Sequence, residues 1–221
     1  MSRKSSNFNL AAVIDHTFLK PAGDKRAIIN LCREAKSLRF ASVCVNPAEI
    51  RVATKLLQGS GVKVCTVIDF PLGQGTVESR CDAAVDALIK GADELDLVVN
   101  QRLLKYDAKS CLKDLSAFVR ASRRIRRDAV LKLILECCNL TKAEIVRGCR
   151  LAKKAGFDFV KTSTGFGLSG ATVEDVRLMR KTVGKKMGVK AAGGIRDRET
   201  ALKMIVAGAT RLGTSAGKKL L

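Results

Sequence analysis

The chain has 221 residues, is 47% hydrophobic and carries 41 Lys and Arg against 21 Asp and Glu, a formal net charge of +20. This length and apolar content suit one domain with a sizeable core and exclude a disordered chain. No apolar run approaches the ~20 residues of a membrane span, and the polar start, Met1 to Asn9, lacks the apolar stretch of a secretory signal, so a cytoplasmic protein is expected.

Short apolar runs alternate with longer amphipathic ones. Strands are expected over 11–15, 42–46, 63–69, 94–99, 131–136, 157–163, 188–192 and 210–213, and helices over segments such as 24–38, 77–90, 109–126, 142–155 and 173–183. Thr76, Thr141 and Thr172 precede three of the helices as N-caps, and Glu144 and Asp175 stand at capping-box spacing. Gly91, Gly156 and Gly208 fall where left-handed C-caps are wanted. Eight strand-then-helix units predict a single-domain α/β fold over 1–221, a (β/α)8 TIM barrel. The open doubly wound sheet wants a glycine-rich turn after the first strand, but the chain reads Asp15-His16-Thr17-Phe18-Leu19-Lys20-Pro21 there.

Eight cysteines without a C-x-x-C pair, several inside apolar runs, read as reduced buried thiols, with no metal site. The single histidine, His16, leaves little material for a Ser-His-Asp triad or a multi-histidine centre. Arg120, Arg123, Arg124, Arg126 and Arg127 crowd one presumed outer helix. Such a run is usually a solvated face; the sharper reading is a patch making nonspecific contact with polyanions.

In a barrel, catalytic groups belong at the C-terminal ends of strands or just after them. Asp15, Asn46, Asp69, Asn100, Glu136 and Lys161 fall there, with Asp96 and Lys190 slightly deeper. Alternation turns Asp96, Val98 and Asn100 inward from the fourth strand, and Lys132, Ile134 and Glu136 from the fifth. Lys161 is the most informative of these. An ammonium ending a buried strand is costly unless it is paired or neutral, and a neutral lysine is a nucleophile toward carbonyls. At an ordinary pKa only about 0.04% of a lysine is neutral at pH 7. Bringing it to ~7 takes about 4–5 kcal/mol, which burial and a neighbouring Lys190 supply if Asp96 pairs mainly with Lys190. Asp96 then shuttles protons. The alternative is a structural network in which both lysines pair with Asp96 and Glu136. Two glycine-rich turns, Gly193-Gly194-Ile195-Arg196 and Gly213-Thr214-Ser215-Ala216-Gly217, follow the seventh and eighth strands. Barrels often bind phosphate there, so a phosphorylated small molecule is expected.

The segments Ile14 to Thr17, Val43 to Pro47, Val67 to Gly73, Gly91 to Asn100, Val160 to Phe166, Val189 to Arg196 and Arg211 to Gly217 together resemble the deoxyribose-phosphate aldolase family, in its order and through nearly the whole chain. The resemblance implies a Schiff-base lyase that interconverts 2-deoxy-D-ribose 5-phosphate with D-glyceraldehyde 3-phosphate and acetaldehyde, in deoxyribonucleotide catabolism. It implies Lys161 as the Schiff-base lysine, Lys190 as its perturber and proton relay, and Asp96 in the relay. It also implies Gly165, Gly193, Gly194, Arg196, Gly213 and Ser215 at the phosphate, no cofactor or metal, and a homodimer. The chain departs from the family pattern at Ala216, where a serine is common and whose loss would weaken phosphate binding. It departs at Cys137, where a threonine is common and a thiol would alter water near the mouth. It also ends at Leu221, without the longer tail whose tyrosine enters the site in some members. Two other functions compete: a Schiff-base aldolase for another phosphorylated sugar, and a basic, non-catalytic barrel that binds polyanions.

Overall fold

A computed structural model describes residues 8–221; residues 1–7, most of the polar start read above, lie outside the described residues. Eight parallel strands close a barrel in sequence order, each joined to the next by helix: β1 Ile14–Phe18, α1 Lys25–Leu38, β2 Ser42–Val45, α2 Ile50–Leu57, β3 Lys63–Ile68, α3 Val77–Ile89, β4 Glu94–Val98, α4 Gln101–Tyr106, α5 Ala108–Ile125, β5 Val130–Ile134, α6 Lys142–Ala155, β6 Phe159–Lys161, α7 Val173–Val183, β7 Gly188–Ala192, α8 Arg198–Ala207 and β8 Arg211–Thr214. β1 pairs with both β2 and β8, so no sheet edge is left open. The (β/α)8 barrel predicted from the alternation is the fold observed. Among the described residues no helix is long and apolar enough to cross a membrane.

Local chemistry explains the helix ends. The Thr141 hydroxyl accepts from the Glu144 N–H while the Glu144 carboxylate accepts from the Thr141 N–H, closing the predicted capping box of α6. At α7 the shorter Asp175 side chain accepts from the Thr172 hydroxyl instead, so the spacing there yields a one-sided cap. Gly156 and Gly208 end α6 and α8 at φ 95° and 114°, values that favour glycine.

Two strands differ from expectation. Residues 11–13 form a 3-10 turn and β1 begins at Ile14, because Leu10 and Ala11 are buried in the main core rather than laddered. β6 is only Phe159–Lys161; beyond it the Thr162 hydroxyl bonds the N–H and C=O of Ala192, replacing ladder bonds with side-chain ones. α2 and α8 fill connections for which no helix range is named above, and α4 precedes α5 in a connection where only the longer helix is expected.

The apolar core lies between barrel and helices. Leu95, Leu97, Leu131, Leu133, Val160 and Val189 face outward into it and are fully buried. The alternate residues face the barrel axis, and there the filling is ionic.

Candidate active site

Register decides which interior residues are neighbours. Asp96 is paired across the ladder with Lys132, Lys161 with Lys190, and Lys190 with Arg211. Residues paired in a parallel ladder point the same way, so all five side chains enter the barrel. Asp15 and Glu94 enter from β1 and β4 and are equally buried.

Asp96 is the hub. Its Oδ2 accepts from Lys161 Nζ at 2.9 Å and from Lys190 Nζ at 2.8 Å, and its Oδ1 accepts from Lys132 Nζ at 2.8 Å. Lys132 also pairs with Glu94 at 2.6 Å, and Lys190 with Asp15 at 2.5 Å. Arg211 closes the set by donating to Asp15 at 2.6 Å and to Glu94. Burial alone would drive Lys190 and Lys132 toward neutrality; their carboxylate partners outweigh it and hold both above the ordinary lysine range. Burial likewise pushes Asp15 and Asp96 upward, and the surrounding cations more than reverse it, holding both carboxyls below the usual range.

The expectation that Asp96 would leave Lys161 unpaired is corrected: Lys161 shares Oδ2 with Lys190. Of the alternative network, in which both lysines pair with Asp96 and Glu136, the structure shows the Asp96 half and not the Glu136 half. Glu136 sits at φ 55° and accepts from the N–H and hydroxyl of Thr164, anchoring the turn after β6. Even so, the set is unbalanced. Four cations (Lys132, Lys161, Lys190 and Arg211) face three carboxylates (Asp15, Glu94 and Asp96), and Lys161 alone of the four has a single carboxylate partner.

Above Lys161 the barrel mouth holds a cavity of about 400 Å³. Lys161 lines it; Lys190, Asp96, Lys132 and Arg211 lie beneath and do not. Gly165, Gly193, Gly194, Arg196, Gly213 and Ser215, the six residues expected around a phosphate, all line the same cavity. Gly193 and Gly194 both have positive φ, 85° and 79°, which turns the chain after β7 along the cavity wall. A side chain at Gly170, packed against this turn, would meet the Gly193 carbonyl. Among the described residues the N–H groups of Gly194, Ile195 and Ser215 find no acceptor within the protein. A converging set of unused N–H groups with a guanidinium beside it is an anion cradle.

Lys20, to which the sequence assigns no role, lines the cavity and adds a second cation to its rim. Alternation turns Lys132 inward but gives it no partner, and Glu94 and Arg211 are not among the residues the sequence singles out. Inward alternation could have found Glu94, two residues before Asp96; Arg211 opens its strand and carried no such signal. The two substitutions within the family pattern also resolve. Cys137 is buried with its Sγ 3.9 Å from Met179 Sδ, away from the mouth, so it does not touch the cavity water. Ala216 does not line the cavity, whereas Ser215 does. His16 turns outward to Glu34 at 2.9 Å and packs on Phe40. Cys44, Cys65 and Asp96 bring ligand-type atoms within 4.8 Å of one another. The carboxylate is already surrounded by three ammonium groups, a poor setting for a metal cation.

A model of the DeoC/LacD family aldolases matches residues 10–220. A deoxyribose-phosphate aldolase of Clostridium perfringens (strain SM101 / Type A) is 55% identical over 208 residues, which cover 94% of this chain and 92% of that protein. One from Caldanaerobacter subterraneus subsp. tengcongensis is 48% identical over 221 residues, covering 100% and 96%. Among solved structures, the tetrameric deoxyribose phosphate aldolase of Aeropyrum pernix superposes with a TM-score of 0.89 at 34% identity, over 96% of this chain and 88% of that one.

Proposed function

The chain belongs to the DeoC/LacD family of aldolases, and from that premise we propose that Lys161 is the amine through which it cleaves 2-deoxy-D-ribose 5-phosphate to D-glyceraldehyde 3-phosphate and acetaldehyde. The observation that carries this reading is positional. Lys161 is the one cation of the interior set that reaches the cavity, and it is the one held by a single carboxylate. Loss of one proton balances the interior charges, and loss from Lys161 sacrifices the fewest ion pairs.

The neutral Lys161 Nζ attacks C1 of the open-chain sugar, and loss of water gives the protonated imine. Removal of the C3 hydroxyl proton lets the C2–C3 bond break. Its electron pair flows into the iminium, releasing glyceraldehyde phosphate and leaving an enamine. Protonation of the enamine carbon and hydrolysis return acetaldehyde and the free lysine. Lys190, held as an ammonium on the carboxylate oxygen that also meets Lys161, is positioned to supply a proton. Asp96, ionised and in contact with both amines, carries protons between them, directly or through water. The phosphate is held by Arg196 and the N–H groups around Gly193, Gly194 and Ser215, with Gly165 and Gly213 leaving room for it. The same reading takes the protein to be a cytoplasmic homodimer; the free cysteines suit a reducing compartment, and light scattering after gel filtration tests the oligomeric state.

The experiment is reductive trapping. The protein is incubated with acetaldehyde, reduced with borohydride, digested and mapped by mass spectrometry. An ethyl adduct confined to Lys161 is expected. Labelling scattered over surface lysines, or none, would sink the assignment. A second reading, a Schiff-base aldolase for another phosphorylated sugar, shares the anion cradle and predicts the same adduct with cleavage of a different substrate.

A further inference from the structure

Most of the chain's cations lie outside the proposed catalytic chemistry, and the fold collects part of that charge at one place. Helices run antiparallel to the strands they follow, so the C-terminal ends of α5, α6 and α7 meet the starts of the next strands at the end of the barrel opposite the mouth. Cations favour helix C-termini, and here they accumulate: Arg124 in the last turn of α5 and Arg127 just after it, Lys153 and Lys154 ending α6, Lys185 and Lys186 after α7. All six are exposed, and among the described residues none has a carboxylate partner. The acids nearby are already engaged. Asp158 is held by Arg123 at 2.7 Å and by the Leu131 N–H, and Asp128 by Arg126.

Three of these cations, Lys153, Lys185 and Lys186, line a groove together with Phe157, Phe159, Met187, Gly188, Thr210 and one carboxylate, Asp158, whose charge Arg123 already offsets. Phe159, with the Arg211 guanidinium 5.9 Å from its ring centroid, separates that groove from the ionic interior above. We propose that this groove, with Arg124 and Arg127 flanking it, binds the sugar-phosphate backbone of a single-stranded nucleic acid, at a surface distinct from the aldolase site. The charges are lysine-rich and exposed, suited to neutralising successive phosphates without reading bases. The shape is concave, which admits a strand. Phe157 and Met187 are buried and Phe159 is half-buried, so the lining offers no protruding apolar anchor of the kind a lipid surface needs.

The test uses the full-length protein and a fluorescein-labelled single-stranded oligonucleotide of about 20 nucleotides, read by anisotropy across a salt series. The groove variant is Lys153→Glu/Lys185→Glu/Lys186→Glu. The control is Lys109→Glu/Lys113→Glu/Arg177→Glu, which makes the same change in net charge on exposed residues elsewhere. Losing three phosphate contacts at about 0.7 each lowers the slope of log K against log salt by about 2. The expected result is an affinity loss of more than about tenfold at about 0.1 M salt in the groove variant and less than about threefold in the control. Aldolase activity is expected to stay native in both. Equal losses would reduce the effect to net charge and overturn the proposal, as would absence of binding by the native protein. Sedimentation with vesicles rich in anionic lipid is run in parallel; binding to vesicles without binding to the oligonucleotide also overturns it. Should the triple variant fail to fold, Lys185→Ala/Lys186→Ala carries the same comparison with a smaller slope change.

Discussion

Replacing Asp96 with asparagine separates imine formation from turnover. Asparagine keeps the shape of the hub and removes its charge. Two of the three amines retain a carboxylate: Lys132 has Glu94 at 2.6 Å and Lys190 has Asp15 at 2.5 Å. Lys161 loses its single partner. Breaking a buried ion pair from one side costs about 3–5 kcal/mol; with two of the three amines still paired to another carboxylate the low end applies, about 3 kcal/mol. For a domain of this length each kcal/mol lowers Tm by about 2–4 °C, so calorimetry is expected to show a fall of about 6–12 °C. Catalysis should suffer more than stability, because loss of a positioned proton carrier removes about 10²–10⁴ in rate. Assayed well below the new Tm by coupled detection of glyceraldehyde 3-phosphate, kcat for cleavage drops within that range. Borohydride trapping of acetaldehyde still labels Lys161, since the nucleophile is intact. A folded Asp96→Asn enzyme turning over within about threefold of native refutes the relay. Loss of trapping with turnover preserved is incompatible with the imine itself.

Lys161→Arg retains charge and bulk but cannot form an imine, so cleavage should vanish while Tm stays within a few degrees; residual activity above about one part in a thousand would contradict the assignment. Lys190→Met removes one interior cation and makes three cations face three carboxylates with Lys161 charged. Activity at neutral pH should fall and recover partly as pH rises, and a pH profile parallel to native would remove Lys190 from the mechanism. Arg196→Ala loses a charge-assisted hydrogen bond worth about 1.5–3 kcal/mol. KM for the phosphorylated substrate should rise about 10- to 150-fold with kcat for unphosphorylated deoxyribose unchanged; equal loss on both substrates would argue against a phosphate contact. Asp15 and Asp96 are held below the ordinary carboxylate range. Their contribution to stability is therefore complete above the unfolded value of about 4 and is lost as pH falls below it. Urea midpoints should fall steeply from about pH 4 downward, and an Asp15→Asn variant should show a shallower fall.

The residues that were legible in the sequence are those whose meaning is local. Gly193 and Gly194 announce a turn after an apolar run whatever the rest of the chain does, and Thr141 with Glu144 announces a helix start. Lys161 is conspicuous because an amine closes a buried strand. Alternation along β4 and β5 sufficed to send Asp96 and Lys132 inward, since a strand's period is set by its own backbone. Pairing within the interior was not local. Whether Asp96 meets Lys190, Lys161 or both depends on the register of strands 65 and 94 residues apart, and the structure brings both amines to the same oxygen. Arg211 is 117 residues from Glu94 and 196 from Asp15; no periodicity within its own short strand hints at either.

The same distinction bears on how the barrel can hold a reactive amine at all. A lone lysine buried in hydrocarbon would shed its proton at great cost in stability. Here three cations are fully compensated by Asp15, Glu94 and Asp96, so the electrostatic imbalance of the interior is confined to one surplus charge. The cation with the fewest carboxylate partners is Lys161, the residue of the set that lines the cavity, where the proposed imine would form. Lys132, Glu94 and Arg211 touch nothing in the cavity, but they tie up the remaining carboxylate capacity. Without them Asp96 would face two amines rather than three, and Asp15 would be free to pair with Lys190 alone. On this argument Glu94→Gln, remote from substrate, should alter the pH dependence of cleavage while leaving KM near native, because it adds a second uncompensated charge to the interior set that surrounds the proposed nucleophile. An unchanged pH profile in a folded Glu94→Gln enzyme would show that the lower part of the network serves only the fold.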